Sequence, residues 1–258
     1  MDEEPPDAMP FIATPRTEPA WDAVLYSVPR AARLAQLCRI TANRWLSGKI
    51  LQDDGTVRRV PSVIGRPASR ARRSGVTFHE MLALRLIKGL RMAGIEIRAI
   101  RRAGTMATDP LGNPTLLITK RLLVDGANAF LAADYAHRFY TDIDVPESER
   151  DPSALIGWQH VFADIVERVL FRYLDWEDGV AARWWPLGRD RFVVLDPLVL
   201  SGAPHIAATH VSTRVIAAAV RAEGDNDAAF EMVAQAHGVS ARQVREAVRF
   251  ESEWMKRE

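Results

Sequence analysis

Only one cysteine, Cys38, occurs in the 258 residues. That excludes an internal disulfide and any metal site built from several thiolates, and it fits a reducing cytoplasm. Long apolar runs are missing as well. The longest, Val215 to Val220, falls far short of the roughly 18 residues a membrane-crossing helix needs, so no membrane partner is expected. The first 19 residues hold five prolines behind the acidic start Met-Asp-Glu-Glu. A signal peptide has the opposite layout, a basic start and then an apolar stretch, so residues 1–22 read as a disordered tail.

Enzyme signatures are absent too. There is no G-x-x-x-x-G-K-[ST] phosphate loop, no G-x-G-x-x-G after a strand, no H-E-x-x-H and no G-x-S-x-G. His205 and His210 are five apart in turn-rich chain, a spacing that aligns them for one metal on neither a strand nor a helix, and they read as surface histidines. Asp142, Asp144, Glu147 and Glu149 surround Pro146 without a capping glycine, which suits a solvated linker better than a cation site. Cys38 has no histidine or second cysteine nearby and reads as structural. The chain therefore reads as a non-enzyme with no catalytic residue, no metal and no cofactor.

What is present is a core and a segregated charge. With 48% hydrophobic residues the chain has enough apolar mass for one large domain or two to three small ones. The net charge of +1 hides a division along the sequence. Between Val28 and Arg102 stand 17 Lys and Arg against only Asp53, Asp54, Glu80 and Glu96, a net +13, which leaves −12 for the remainder. A block of that sign and size is an electrostatic footprint for a polyanion.

The same block carries a helix-turn-helix pattern. Ser27-Val28-Pro29 is a helix start, because a serine side chain accepts an orphan amide bond and proline is tolerated in the first turn. A first helix to about Ala35, a tight turn at Gln36-Leu37-Cys38 and a second helix through Leu46, stopped at Gly48, follow within about 20 residues. Asp54-Gly55 between strand-like flanks predicts a hairpin. Thr77 and Glu80 make a Thr-x-x-Glu capping box ahead of a helix with Phe78, Leu82, Leu86 and Leu90 at helical spacing, and a short helix over 97–103 follows.

Further on, Gly104, Pro110, Gly112 and Pro114 forbid a long continuous helix. Strand-like runs flank Asp125-Gly126, and Val161, Ile165 and Val169 mark an amphipathic helix beside a row at Phe162, Val166, Leu170 and Tyr173. A strand at "FVVL" then opens a unit with three helices over 212–222, 227–236 and 241–254, the last begun by the capping box Ser240-x-x-Gln243. The expected fold is mainly α with small β elements (α+β). Its parts are a winged helix-turn-helix over 23–104, a central linker or dimerisation region over 105–190 with a hairpin and a long helix, and a C-terminal helical unit over 191–258.

"YSVPRAARLAQLCRITANRWLSG" and "VTFHEMLALRLIKGLRMAGIEIRAIRRA" resemble the opening helix-turn-helix and the later helix pair of MerR-type and excisionase-type DNA-binding domains, over about 80 residues. The C-terminal stretch resembles a small antitoxin-associated domain whose pattern is matched by Pro197, Gly202, Pro204, Ile206, Thr209, Val211 and Thr213. The two in this order are similar to a VapB-like subgroup of type II antitoxins. In two turns the chain departs from these patterns: Gln36 and Cys38 stand where glycine and serine are usual, and Ala208 replaces a glycine.

The resemblance implies an antitoxin that binds operator DNA for autoregulation and neutralises a cognate PIN-type ribonuclease toxin. Its second helix would enter the major groove with Arg39, Thr41, Asn43 and Arg44 on or near the exposed face. Lys49, Arg58 and Arg59 at the hairpin, and the run Arg66, Arg70, Arg72 and Arg73, would meet phosphates. A homodimer is expected, because a single helix-turn-helix rarely grips an operator and two-fold symmetry matches palindromic half-sites. For the toxin, whose metal site is a carboxylate cluster, the tail residues Lys256 and Arg257 are one candidate contact; an ordinary frayed end is the other reading. The alternative function is a MerR-like regulator with a C-terminal sensor, which the interruption after Gly104 disfavours. A DNA-processing enzyme would have only the acidic cluster to work with.

Overall fold

A computed structural model describes residues 23–53, 56–60, 62–64, 75–92, 94–98, 100–101, 173–177 and 180–255, with the backbone alone for 49–53 and 56–59. The fold is mixed, with helices and small antiparallel sheets, an α+β arrangement.

Helix α1 spans Val28–Leu34 and begins as the sequence predicts. Ser27 Oγ accepts from the Arg30 amide at 3.4 Å, Pro29 lies in the first turn, and the helix buries Ala31, Ala32 and Leu34. Gln36 then takes φ +55°, the left-handed conformation that reverses the chain. Helix α2, Arg39–Ser47, buries Ala42 and Leu46 and stops at Gly48, whose φ of +75° is open to glycine at little cost. Strands β1 (Lys49–Asp53) and β2 (Thr56–Val60) pair antiparallel, with Ile50 opposite Arg59 and Leu51 opposite Arg58. The chain returns under α2, where the Val63 amide donates to the Trp45 carbonyl at 2.8 Å.

Helix α3 spans Phe78–Met92. Its capping box closes both ways: the Thr77 amide donates to Glu80 Oε2 at 2.9 Å and the Glu80 amide to Thr77 Oγ1 at 3.1 Å. Just before it, Val76 pairs with Tyr26, so the chain leading into α3 is tied to the chain leading into α1. Leu82, Leu86 and Leu90 are buried as their spacing requires, each contributing about 1.5–3 kcal/mol. Ile97, Arg98, Ile100 and Arg101 are helical. The predicted hairpin around Asp125-Gly126, the amphipathic helix from Val161 and the acidic linker lie outside the described residues.

The chain re-enters with β3 (Leu174–Glu177) and β4 (Val180–Trp184), paired antiparallel with an irregularity between Asp175 and Trp176. Trp184 bridges to Leu195 beyond β5 (Val193–Val194), and β5 pairs with β6 (His205–Ile206). Three helices complete the fold: α4 (Thr213–Ala222), α5 (Asp227–His237) and α6 (Ala241–Phe250), running into a π-helical turn at Glu251–Met255. The Ser240–Gln243 capping box at α6 forms as its sequence predicts.

Two apolar clusters result. One joins Ile206 of β6 to Ile216, Val220, Val233 and Val244 of the last three helices. The larger runs from Tyr26 through α1, α2 and α3 to Leu174, Trp184, Leu195, Phe250 and Trp254. Residues near the two ends of the described chain therefore share one core.

Candidate nucleic-acid interface

The site is the outer face of α2. Helical rotation of 100° per residue brings residues 40, 43 and 44 to one side and 42 and 46 to the other, while residue 39 is the first of the helix, one turn before 43. The burial follows this: Arg39, Ile40, Asn43 and Arg44 are exposed, while Ala42 and Leu46 are fully buried and Trp45 packs half-buried against the core. A broad recess of about 960 Å³ runs along this face to the start of α1, lined by Ser27, Arg39, Ile40, Asn43 and Arg44 among others. It carries two guanidiniums and a carboxamide and, among the described residues, no carboxylate in its wall.

Thr41 belongs to the helix start more than to that face. Cys38 is the N-cap and makes no side-chain bond to the backbone; its thiol donates to Thr41 Oγ1 at 3.0 Å instead. Thr41 is half-buried by this arrangement. The hydroxyl beside it, followed by nearby backbone amides, lowers the Cys38 thiol below its ordinary value, although the side chain is exposed.

Arg44 also lines a second, smaller recess of about 280 Å³ on the far side of Gly48. Trp45, Val60, Arg91, Ile97 and Arg101 complete it. Burial, then the neighbouring Arg98, depress the Arg101 guanidinium. Arg91 donates to the Ile95 carbonyl at 2.9 Å.

The basic block is thus partly committed to holding the fold. Arg33 donates to the Met255 carbonyl at 3.3 Å. Arg85 is half-buried, its guanidinium 5.3 Å from the Trp184 ring centre and 4.9 Å from that of Trp254. Desolvation lowers it to about 10, so it stays charged at neutral pH against the two indoles. The charge count of this segment overstates what is free to meet a ligand, because a linear sum does not distinguish surface cations from buried ones.

Of the residues singled out by sequence, Arg39, Asn43 and Arg44 come together on one exposed face, with Thr41 at its edge. Lys49 opens β1, and Arg58 and Arg59 lie in β2, following α2 directly. Arg66, Arg70, Arg72, Arg73, Lys256 and Arg257 lie outside the described residues. Sequence reasoning passed over Ile40, which the helical periodicity alone would have put on the same face. His205 was expected at the surface and is buried: its Nδ1–H donates to the Ala203 carbonyl at 2.9 Å, and β6 carries the side chain inward. His210 is exposed. Among the described residues no group of three or more His, Cys, Asp or Glu is arranged to hold a metal ion, and no helix is long and apolar enough to cross a membrane.

The fold has a solved counterpart. The crystal structure of Rv2018 from Mycobacterium tuberculosis is similar over 88% of this chain and 99% of that one, with a TM-score of 0.57 and 24% sequence identity. The likeness is one of fold. No protein-family model matches the sequence, and no curated protein matches it either.

Proposed function

We propose that the protein is a DNA-binding antitoxin of a type II toxin–antitoxin system, which binds its own promoter as a homodimer and neutralises a PIN-type ribonuclease toxin by direct contact. The observation that carries the DNA half of this reading is the exposed face of α2, with Arg39, Asn43 and Arg44 side by side and followed at once by a two-stranded hairpin. Arginine pairs with the O6 and N7 acceptors of guanine and asparagine with the N6 and N7 of adenine, so this face has the donors and acceptors of a major-groove reader. In this reading α1 and α2 are the helix-turn-helix, β1 and β2 the wing, and Lys49, Arg58, Arg59, Arg70, Arg72 and Arg73 neutralise phosphates.

The antitoxin half rests on the sequence resemblance of the C-terminal unit. The matched residues have identifiable work in the fold. Thr209 Oγ1 donates to the Ile206 carbonyl at 2.7 Å, and Thr213 Oγ1 lies 2.5 Å from Glu251 Oε1. The toxin would meet another surface, with Lys256 and Arg257 as the candidate contact.

The test is binding of the full chain to duplex DNA from upstream of its own reading frame, followed by fluorescence anisotropy. Six to ten phosphate contacts predict that affinity falls roughly 10³ to 10⁵-fold between 50 and 200 mM salt. Arg44→Ala should weaken specific binding by about 10- to 100-fold. Equal binding by Arg44→Ala and the wild type would remove α2 as the recognition helix. For the toxin, chains ending after Met255 lack Lys256 and Arg257 but keep Trp254 in the core. Undiminished ribonuclease inhibition by that truncation would exclude the tail as the contact.

A further inference from the structure

Ile40 is an anomaly on its helix. It is 71% exposed, far more than an isoleucine gains anything from, and it stands between Arg39 and the Asn43–Arg44 pair on the outer face of α2. Core packing does not account for it, since Ala42 and Leu46 supply the apolar contacts on the inner face. Nor does the helix start, which Cys38 and Thr41 occupy. An isolated surface hydrophobe is ordinary. One set among two arginines and an asparagine, in a recess whose described lining adds Val28 and Pro29 but no carboxylate, suits a polyanion that also offers an apolar group.

We infer that Ile40 is a specificity-determining residue that packs on the C5-methyl group of a thymine in the major groove. This rests on the reading of α2 as the recognition helix and adds the base it selects. The polar neighbours answer hydrogen-bonding groups at base edges, and only thymine offers an apolar group there. The occupant is duplex DNA because, among the described residues lining the recess, the charge is of one sign, positive: a protein surface apolar enough to want the isoleucine would have to leave Arg39 and Arg44 without counter-charge.

The test begins with selection of duplexes from a random pool by the full chain. In the selected duplex each thymine is then replaced in turn by deoxyuridine, which keeps every hydrogen-bonding group and lacks only the methyl. One position should lose about fourfold in affinity for the wild type, the value of one buried carbon. Ile40→Ala should lose about tenfold on the thymine duplex and nothing further on deoxyuridine at that position, whereas Asn43→Ala should keep the fourfold sensitivity. Because the side chain is exposed, an unchanged urea midpoint for Ile40→Ala is expected.

If a sequence is selected but no deoxyuridine position matters, or Ile40→Ala remains as sensitive as the wild type, the inference fails while the recognition-helix reading stands. Selection of no sequence over the starting pool overturns both. Dissociation of a wild-type dimer by Ile40→Ala in sedimentation equilibrium would assign the side chain to a second copy of the chain, and also overturns the inference.

Discussion

The hydroxyl of Tyr26 donates to the carbonyl of Gly202 at 2.8 Å, across 176 residues of sequence. Both groups are buried, and burial raises the Tyr26 phenol far above its ordinary value, so it remains a donor at any working pH. The contact sits under an unusual turn. Leu200, Ser201 and Gly202 have φ of +50°, +52° and +71° in succession, which L-residues adopt only when their surroundings impose it.

Tyr26→Phe should therefore cost about 1–3 kcal/mol, since the lost bond leaves a buried carbonyl unpaired. Gly202→Ala should cost more: a Cβ there would lie 2.4 Å from Tyr26 Oη, in a left-handed conformation. Urea denaturation of the two variants checks the order. A fully stable Gly202→Ala would show that the turn can relax away from Tyr26.

At two of the other left-handed positions that hold a residue with a Cβ, the prediction reverses. Gln36 (φ +55°) and Ala208 (φ +60°) occupy the turns where the resembled families use glycine. Gln36→Gly and Ala208→Gly should each stabilise by about 0.5–1 kcal/mol. The left-handed penalty of roughly 1–2 kcal/mol is relieved, and part of the gain is lost to the freer unfolded chain. Thermal midpoints that fall in both variants would overturn this.

The Arg85 guanidinium sits against Trp184 and Trp254, whose ring centres are 5.6 Å apart, and joins α3 to the chain after α6. Phe250 stacks on Trp254 at 5.7 Å between ring centres, so removal of this indole empties both a cation site and a packed aromatic pair. Trp254→Ala should cost about 3–5 kcal/mol. Arg85→Lys should cost about 1–2 kcal/mol, because a compact, strongly hydrated ammonium is a poorer partner for the two indole rings than the weakly hydrated guanidinium. Equal stability of Arg85→Lys and the wild type, measured by chemical denaturation, would reduce the guanidinium to a spacer.

His205 makes stability depend on pH. Burial lowers its imidazole below the ordinary 6.5, opposed by the Ala203 carbonyl and by Asp196. The folded state thus resists a proton that the unfolded state accepts. Stability contributed by the neutral ring is complete above about pH 6.5 and declines as pH falls through that value toward the lower folded one. A His205→Gln variant should flatten the dependence of the urea midpoint between pH 7 and 5. An undiminished slope would assign it to other groups.

Local order was legible in the residues themselves. Ser27, Thr77, Ser240 and Gln243 announce helix starts because capping is a bond between neighbours three positions apart, and the starts of α1, α3 and α6 lie where those residues put them. The exposed face of α2 was legible for the same reason, since a period of 3.6 is set by the backbone alone.

Tertiary structure alone decided which cations are free. Arg85 and Arg44 are the same residue in a charge count, yet one lies against two indoles contributed from beyond residue 173 and the other faces outward. Likewise nothing local marks Tyr26 as the partner of Gly202, or His205 as buried. Contacts across 100 to 200 residues depend on how the elements pack, and short-range propensity carries no information about packing partners so distant in the chain.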